Sequence, residues 1–231
     1  MGLIERWRAS RDAKRQAKQA ATQRIALSTW EADQKHLSEM LNAARTLKGF
    51  TREQLPDLTM QLKRDELVVY ILRGCSLVEP RRGPGHYAGR YSGFSFRVAK
   101  GVRYHVGGSR GTYVQGTEVP TTIDTGTITI TTQRVAFQGS KQAREWSFIK
   151  LLGMEHDPRL PLTSIQVSNR QKVSGFLYDA AHAADVHFRL ALALALFNGT
   201  TDDLAANVQR QLSEHETTKP EVPSLPPSAA G

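Results

Sequence analysis

The sequence predicts a mainly β domain with flanking helices: about seven antiparallel strands in a bent barrel, capped by a helix and preceded by a long N-terminal helix. Three observations predict it. First, "TGTITITTQRVAFQG" (125–139) alternates, with Ile128 and Ile130 on one side and Thr127, Thr129 and Thr131 on the other. Val135 and Phe137 resume the apolar positions after a polar turn. Second, strand-like runs follow one another from Leu67 to Tyr178 with no helix-length segment between them, which excludes parallel βαβ units. Third, "HAADVHFRLALALALFNG" is dominated by Leu and Ala, both strong helix formers. On a helix, Val186, Leu190, Leu194 and Phe197 form one stripe, and Phe188, Leu192 and Leu196 form a second beside it. So wide an apolar face must be covered.

The elements follow in order. Residues 3–47 contain no Pro or Gly, are rich in Ala, Gln, Lys and Arg, and stop before Gly49, which predicts one long helix. Trp30, Leu37 and Ala44 stand seven apart, with Asp33, Met40 and Leu47 at the intervening seam positions. Strands are expected at "LVVYIL" (67–72), "YSGFSFRV", "VRYHV", the opening pair, "REWSFIKLLG", "LTSIQVS" and "VSGFLYD". Turns are expected at Lys100 and Gly101, at Gly107 and Gly108, at Gly139 and Ser140, and at "SNR" (168–170). The capping helix spans about 183–198. A last helix begins near Thr200, with Asp203 at capping-box spacing and an apolar stripe of Leu204, Val208 and Leu212. The expected organisation is a basic helix (1–49), a β domain with its capping helix (50–199), an amphipathic helix (200–216) and a Pro-rich disordered tail (217–231).

A net charge of +9 over 231 residues is concentrated in two stretches. Residues 1–24 hold seven Lys/Arg against two acids, and residues 80–117 hold seven with no acid. Such stretches attract polyanions: nucleic acid, anionic lipid or phosphorylated ligands. A single cysteine, Cys75, rules out an intramolecular disulfide and suits a reducing compartment. The N-terminus lacks a signal-peptide pattern, and the longest apolar run, "LALALALF", is too short to span a bilayer. A soluble, cytoplasmic chain without a transmembrane segment is expected.

"DTGTITITTQRVAFQG" resembles the central hairpin of bacterial GRAM and pleckstrin-homology-like domains. There a Gly-led strand ends in Thr, turns through a basic residue and returns on a Val/Leu–x–Phe strand. The matching positions are Gly126, Thr131, Arg134, Val135 and Phe137, and the resemblance covers roughly 62–198. It implies a small bent barrel with a capping helix, serving as a binding or adaptor module. The N-terminal helix and the stretch 80–117 have no equivalent in a minimal domain of that kind.

Candidate chemistry is sparse. "GGSRG" (107–111) matches G-x-S-x-G, but a nucleophilic Ser109 needs a strand before it and a helix after it, and "TYVQGTEVP" supplies no helix. It reads as a Gly-rich turn. Glu155, His156 and Asp157, and the pair His182 and His187, lack metal-ligand spacing and read as loop and helix-end residues. No enzymatic activity, metal or cofactor is expected. The feature that stands out is "FSFRVAKGVRYHV". A three-residue loop at 99–101 sets Val98 opposite Val102 and Arg97 opposite Arg103, with His105 on the same face and Lys100 at the turn. Like charges across a ladder repel, and a bound anion turns that cost into charge-assisted hydrogen bonds. Basic residues on the first hairpin are also what the resemblance implies for phosphorylated headgroups. Arg170 and Lys172, in "SNRQK", are candidates to extend the patch. The expected partner is an anionic inner-membrane surface or a partner protein. The rivals are a nucleic-acid-binding accessory protein, suggested by four tyrosines among the arginines of 80–117, and a purely structural interaction module.

Overall fold

A computed structural model describes residues 2–82, 86–99, 102–114 and 118–220; of these, 3–6, 8, 9, 12, 13 and those between 82 and 119 are described by backbone alone. The chain divides into two units, Met1–Arg45 with Ala205–Gly231, and Thr46–Leu204.

The first unit is helical. Helix α1 spans Leu3–Thr46, as the uninterrupted run of good helix formers predicts. Its covered positions include Gln23, Leu27, Trp30, Gln34, Leu37, Leu41 and Ala44, a 4-3-4-3 spacing, with Ala20, His36, Met40 and Ala43 half-buried beside them. The intervening seam is therefore Leu27, Gln34 and Leu41, one residue on from the Asp33, Met40 and Leu47 frame expected from sequence. Asp33 is exposed and costs the seam nothing. The partner within this unit is the C-terminal helix, Thr201–Glu216, which buries Ala205, Val208 and Leu212. Trp30 stacks on His215 with centroids 5.0 Å apart, and its Nε1 donates to the His215 carbonyl at 3.0 Å. Near the other end, Arg45 donates to Gln209 at 3.1 Å. The expected capping box does not form, because Thr200 Oγ1 is buried without a hydrogen bond.

The second unit carries the strands: β1 (Val68–Arg82), β2 (His86–Ala99), β3 (Val102–Val114), β4 (Glu118–Thr131), β5 (Arg134–Gly139), β6 (Ala143–Ser147), β7 (Leu151–His156), β8 (Leu162–Val167) and β9 (Ser174–Leu177). Helix α2 (Ala183–Asn198) follows, and the C-terminal helix above is α3. Seven strands form one antiparallel sheet in the order β6-β5-β4-β1-β9-β8-β7, while β2 and β3 pair only with each other, inserted between β1 and β4. The mainly β fold with flanking helices is as expected, but the sheet is open rather than a closed barrel.

It is nonetheless folded across itself. Trp146 on β6 donates from Nε1 to Ser174 Oγ on β9 at 3.0 Å, and its ring tilts against Phe176. Register shifts along the β1–β4 ladder help to bend it. So does Gly126, where a Cβ would lie 2.0 Å from the Gln138 carbonyl oxygen. Only glycine permits that approach.

The alternating stretch is covered on both faces. Ile128 and Ile130 are fully buried with Val135 and Phe137, as their periodicity predicts, yet Thr129 and Thr131 are buried too. A segment before β1 lies over that second face, packing Leu58 and Met60 against Val68 and Ala136. Arg134 secures it. Its guanidinium holds both Glu66 carboxylate oxygens (2.8 and 3.0 Å), Glu145 (2.7 Å) and the Gln61 carbonyl (2.7 Å). Thr131 Oγ1 adds a hydrogen bond to Glu66 at 2.7 Å. Burial opposes ionisation of Glu66, but these bonds and the Lys63 N–H outweigh it and hold its carboxyl below the usual range.

Two sequence expectations are corrected here. "REWSFIKLLG" is two strands separated by a 3-10 turn at Phe148–Lys150, which lets the chain cross from one side of the bent sheet to the other. Gly107 and Gly108 are no turn: they lie inside β3, opposite Gly93 and Ser92. Ser109 is likewise mid-strand, opposite Tyr91. Helix α2 spans the expected residues and buries Val186, Phe188, Leu190, Leu192, Ala193, Leu194 and Ala195, while Phe197 is exposed.

Candidate functional site: a basic sheet end

The register of β1 defines the site. Val78 is flanked by Thr122 on β4 and by Gly175 on β9. On the β4 side, the β5–β6 loop (140–142) is tied to this end by Asp124, whose carboxylate accepts from the Lys141 and Gln142 N–H groups at 2.8 Å and from Thr125 N–H at 2.9 Å. The Lys141 N–H in particular holds the Asp124 carboxyl below its usual range. On the β9 side, the turn joining β8 to β9 (168–173) carries Arg170 and Lys172, and Ser168 N–H donates to the Lys150 carbonyl at 2.8 Å. The β1–β4 ladder itself continues to Arg82 opposite Glu118, where the insertion leaves.

Five cations lie on these elements: Arg81, Lys141, Lys150, Arg170 and Lys172. Arg170 is half-buried and the others are exposed. None has an ion-pair partner among the described residues. Of the acids nearest in sequence and register, two are already engaged, and the Glu118 side chain lies outside the described residues. Asp124 caps the loop, and Glu79 binds Arg144 at 2.6 Å. Cations without an ion-pair partner, beside carboxylates already held by backbone N–H groups or by Arg144, leave a surface suited to an anion.

The other sequence-derived residues lie on the insertion. Arg97 stands opposite Arg103 on the β2–β3 ladder, and Ser95 opposite His105. Val98 is not opposite Val102; Ala99 takes that place, with an irregularity between Arg97 and Ala99. Lys100 lies outside the described residues, as do the side chains of Arg97, Arg103 and His105. Arg170 and Lys172 belong to a different element, the β8–β9 turn, and no strand pairing joins it to the β2–β3 ladder. Lys141 and Lys150 were not singled out by sequence. Only the pairing of distant strands brings them to this end.

The opposite end holds a buried polar chain that spacing also missed. His156, at the end of β7, and His187, on α2, stack with ring centroids 3.8 Å apart. His156 Nδ1 meets Thr163 Oγ1 at 2.9 Å, Thr163 meets the Tyr178 hydroxyl at 3.1 Å, and that hydroxyl meets His187 Nε2 at 2.7 Å. His156 is therefore a core residue, not a loop residue. Burial lowers its pKa to about 3 and that of His187 to about 4. Among the described residues no group of three His, Cys, Asp or Glu side chains could hold a metal ion. One stretch, Ala180–Asn198, is long and apolar enough to cross a membrane, and it contains the seven α2 residues buried in this unit. No family model matches this chain, nor does any curated protein or solved structure.

Proposed function

We propose that the chain is a non-enzymatic binding module of pleckstrin-homology/GRAM-like form that holds an anionic ligand, a phosphorylated or otherwise anionic lipid headgroup, at the inner membrane surface. The observation that carries the proposal is that Arg81, Lys141, Lys150, Arg170 and Lys172, on β1 and the loops adjoining it or one another, have no ion-pair partner among the described residues. The connectivity supports the family reading. Apart from the β2–β3 insertion, β1 joins a meander of β4–β6 to a meander of β7–β9, and the apolar helix α2 follows. The positions carrying the resemblance also have physical work in this chain: Gly126 at a close backbone crossing, Thr131 and Arg134 in the Glu66 network, and Val135 and Phe137 in the core. The Arg97–Arg103 pairing on the insertion offers a second candidate set, to which the sequence adds Lys100 and His105.

Co-sedimentation with vesicles tests this. Binding to vesicles containing phosphatidylglycerol, absent from pure phosphatidylcholine, is expected. Arg170→Gln with Lys172→Gln should weaken it at least tenfold, since each cation near an anionic surface contributes about 1 kcal/mol. Replacing Arg97 and Arg103 together with Gln separates the insertion's contribution. Tight binding to single-stranded oligonucleotide with none to vesicles would replace this reading with the nucleic-acid one.

A further inference from the structure

The 3-10 turn between β6 and β7 and the start of β7 expose two large aliphatic side chains beside the β8–β9 turn. Ile149 is 80% exposed and Leu152 is 53% exposed, the former among the most exposed large apolar residues described. A lone exposed apolar residue needs no explanation. These two stand three residues apart and flank Lys150, whose carbonyl is bonded to Ser168, the first residue of the turn carrying Arg170 and Lys172. The segments 149–152 and 168–172 contain three cations and no acid. Phe148, beside Ile149, is buried and edge-on to Phe197, so the core anchors the turn while Ile149 faces outward.

We infer that Ile149 and Leu152 enter the interfacial layer of an anionic bilayer while Lys150, Arg170 and Lys172 engage its headgroups. The occupant is a lipid surface because apolar tips ringed by unpaired cations match an anionic headgroup layer over hydrocarbon. A folded protein partner would need acids to meet the cations and a pocket to meet Ile149. A bilayer supplies both everywhere. The inference rests on the anionic-membrane reading above and adds depth to it: contact is made by insertion, not by charge alone.

The test uses the full chain carrying Ile149→Cys labelled with an environment-sensitive fluorophore. Cys75 is fully buried, which leaves position 149 as the reactive thiol among the described residues. With phosphatidylglycerol vesicles the emission should shift to the blue and be quenched by brominated acyl chains, whereas a label at Leu160→Cys, in the β7–β8 loop at the other end of those strands, should respond far less. In unlabelled protein, Ile149→Gln should lower vesicle partitioning about tenfold at unchanged melting temperature, the factor expected for partial burial of one isoleucine. Vesicle binding with an unshifted label and an unaffected Ile149→Gln variant would overturn insertion and leave the electrostatic reading standing. No binding of the wild-type chain to anionic vesicles would overturn both.

Discussion

Arg134 has more structural consequence than its place in a hairpin turn suggests. Its side chain is 10% exposed, Glu66 is wholly covered, and between them they fix the segment before β1 onto the β4–β5 hairpin. Removing one partner leaves the other charge buried and unpaired, so Arg134→Met should lower stability by about 3–5 kcal/mol in urea unfolding. The double variant Arg134→Met/Glu66→Leu should recover much of that loss. The stacked histidines give a pH dependence of definite sign. Both are held neutral in the folded chain, at about 3 and about 4, while an unfolded histidine titrates near 6.5. The unfolded chain therefore binds more protons below pH 6.5. Stability is full above that value and falls as pH drops towards 4, by on the order of 1–2 kcal/mol per histidine between pH 6.5 and 5. Urea midpoints at pH 7.5, 6 and 5 should trace this, and His156→Asn should flatten the acid side. Nothing in the sequence announced the pair, because 31 positions separate residues that meet only when α2 docks.

At the scale of elements, periodicity was legible wherever one side chain pattern met one environment. Helix α2 carries two adjacent apolar stripes, and seven of its residues are buried. Leu194 lies at the centre of that surface, 3% exposed, so Leu194→Ala should cost about 2–5 kcal/mol in thermal or urea melts. A retained melting temperature would show that α2 does not close the core. Legibility failed where tertiary structure changed the meaning of a local signal. Gly107 and Gly108 resemble a turn in isolation, but they sit opposite Gly93 and Ser92, and small residues on facing strands extend a ladder as well as they end one. "REWSFIKLLG" alternates well enough for one strand, and the break at Phe148–Lys150 is imposed by the corner the chain must turn. In α1, Met40 and Leu47 are half-buried as the expected frame implies, but at the first intervening position Asp33 is exposed and Gln34 is covered instead. The fold chose Gln34, whose Nε2 reaches Glu216. The basic site was legible in part. Arg170 and Lys172 were visible as charge, but Lys141 and Lys150 acquire meaning only through strand order.

For the whole molecule, the division into two units predicts that protection will not be uniform. In the helical unit, the described side chains of α1 are first covered at Ala20 and Gln23, and regularly only from Leu27. Positions 14–19 are exposed on every side, and Trp7 and Ile25 are 63% and 67% exposed. From Leu27 onward the seam is covered, Leu41 and Ala44 are buried, and Trp30 is held by both a stack and a hydrogen bond to His215. An unsupported helix of twenty-odd residues gains too little per turn to stay fully formed in water, whereas packing of one face supplies what propensity lacks. Amide exchange should therefore be fast from residue 3 to about 22 and slower by at least tenfold from 27 to 46, within one continuous helix. His215→Ala should raise exchange around Trp30 by removing the ring on which it stacks. Equal, strong protection over both halves of α1 would mean that the first half finds a partner of its own. The basic charge of residues 1–24 would then be engaged rather than solvated, and the vesicle experiments would have to be repeated on a chain lacking them before any binding could be credited to the sheet end.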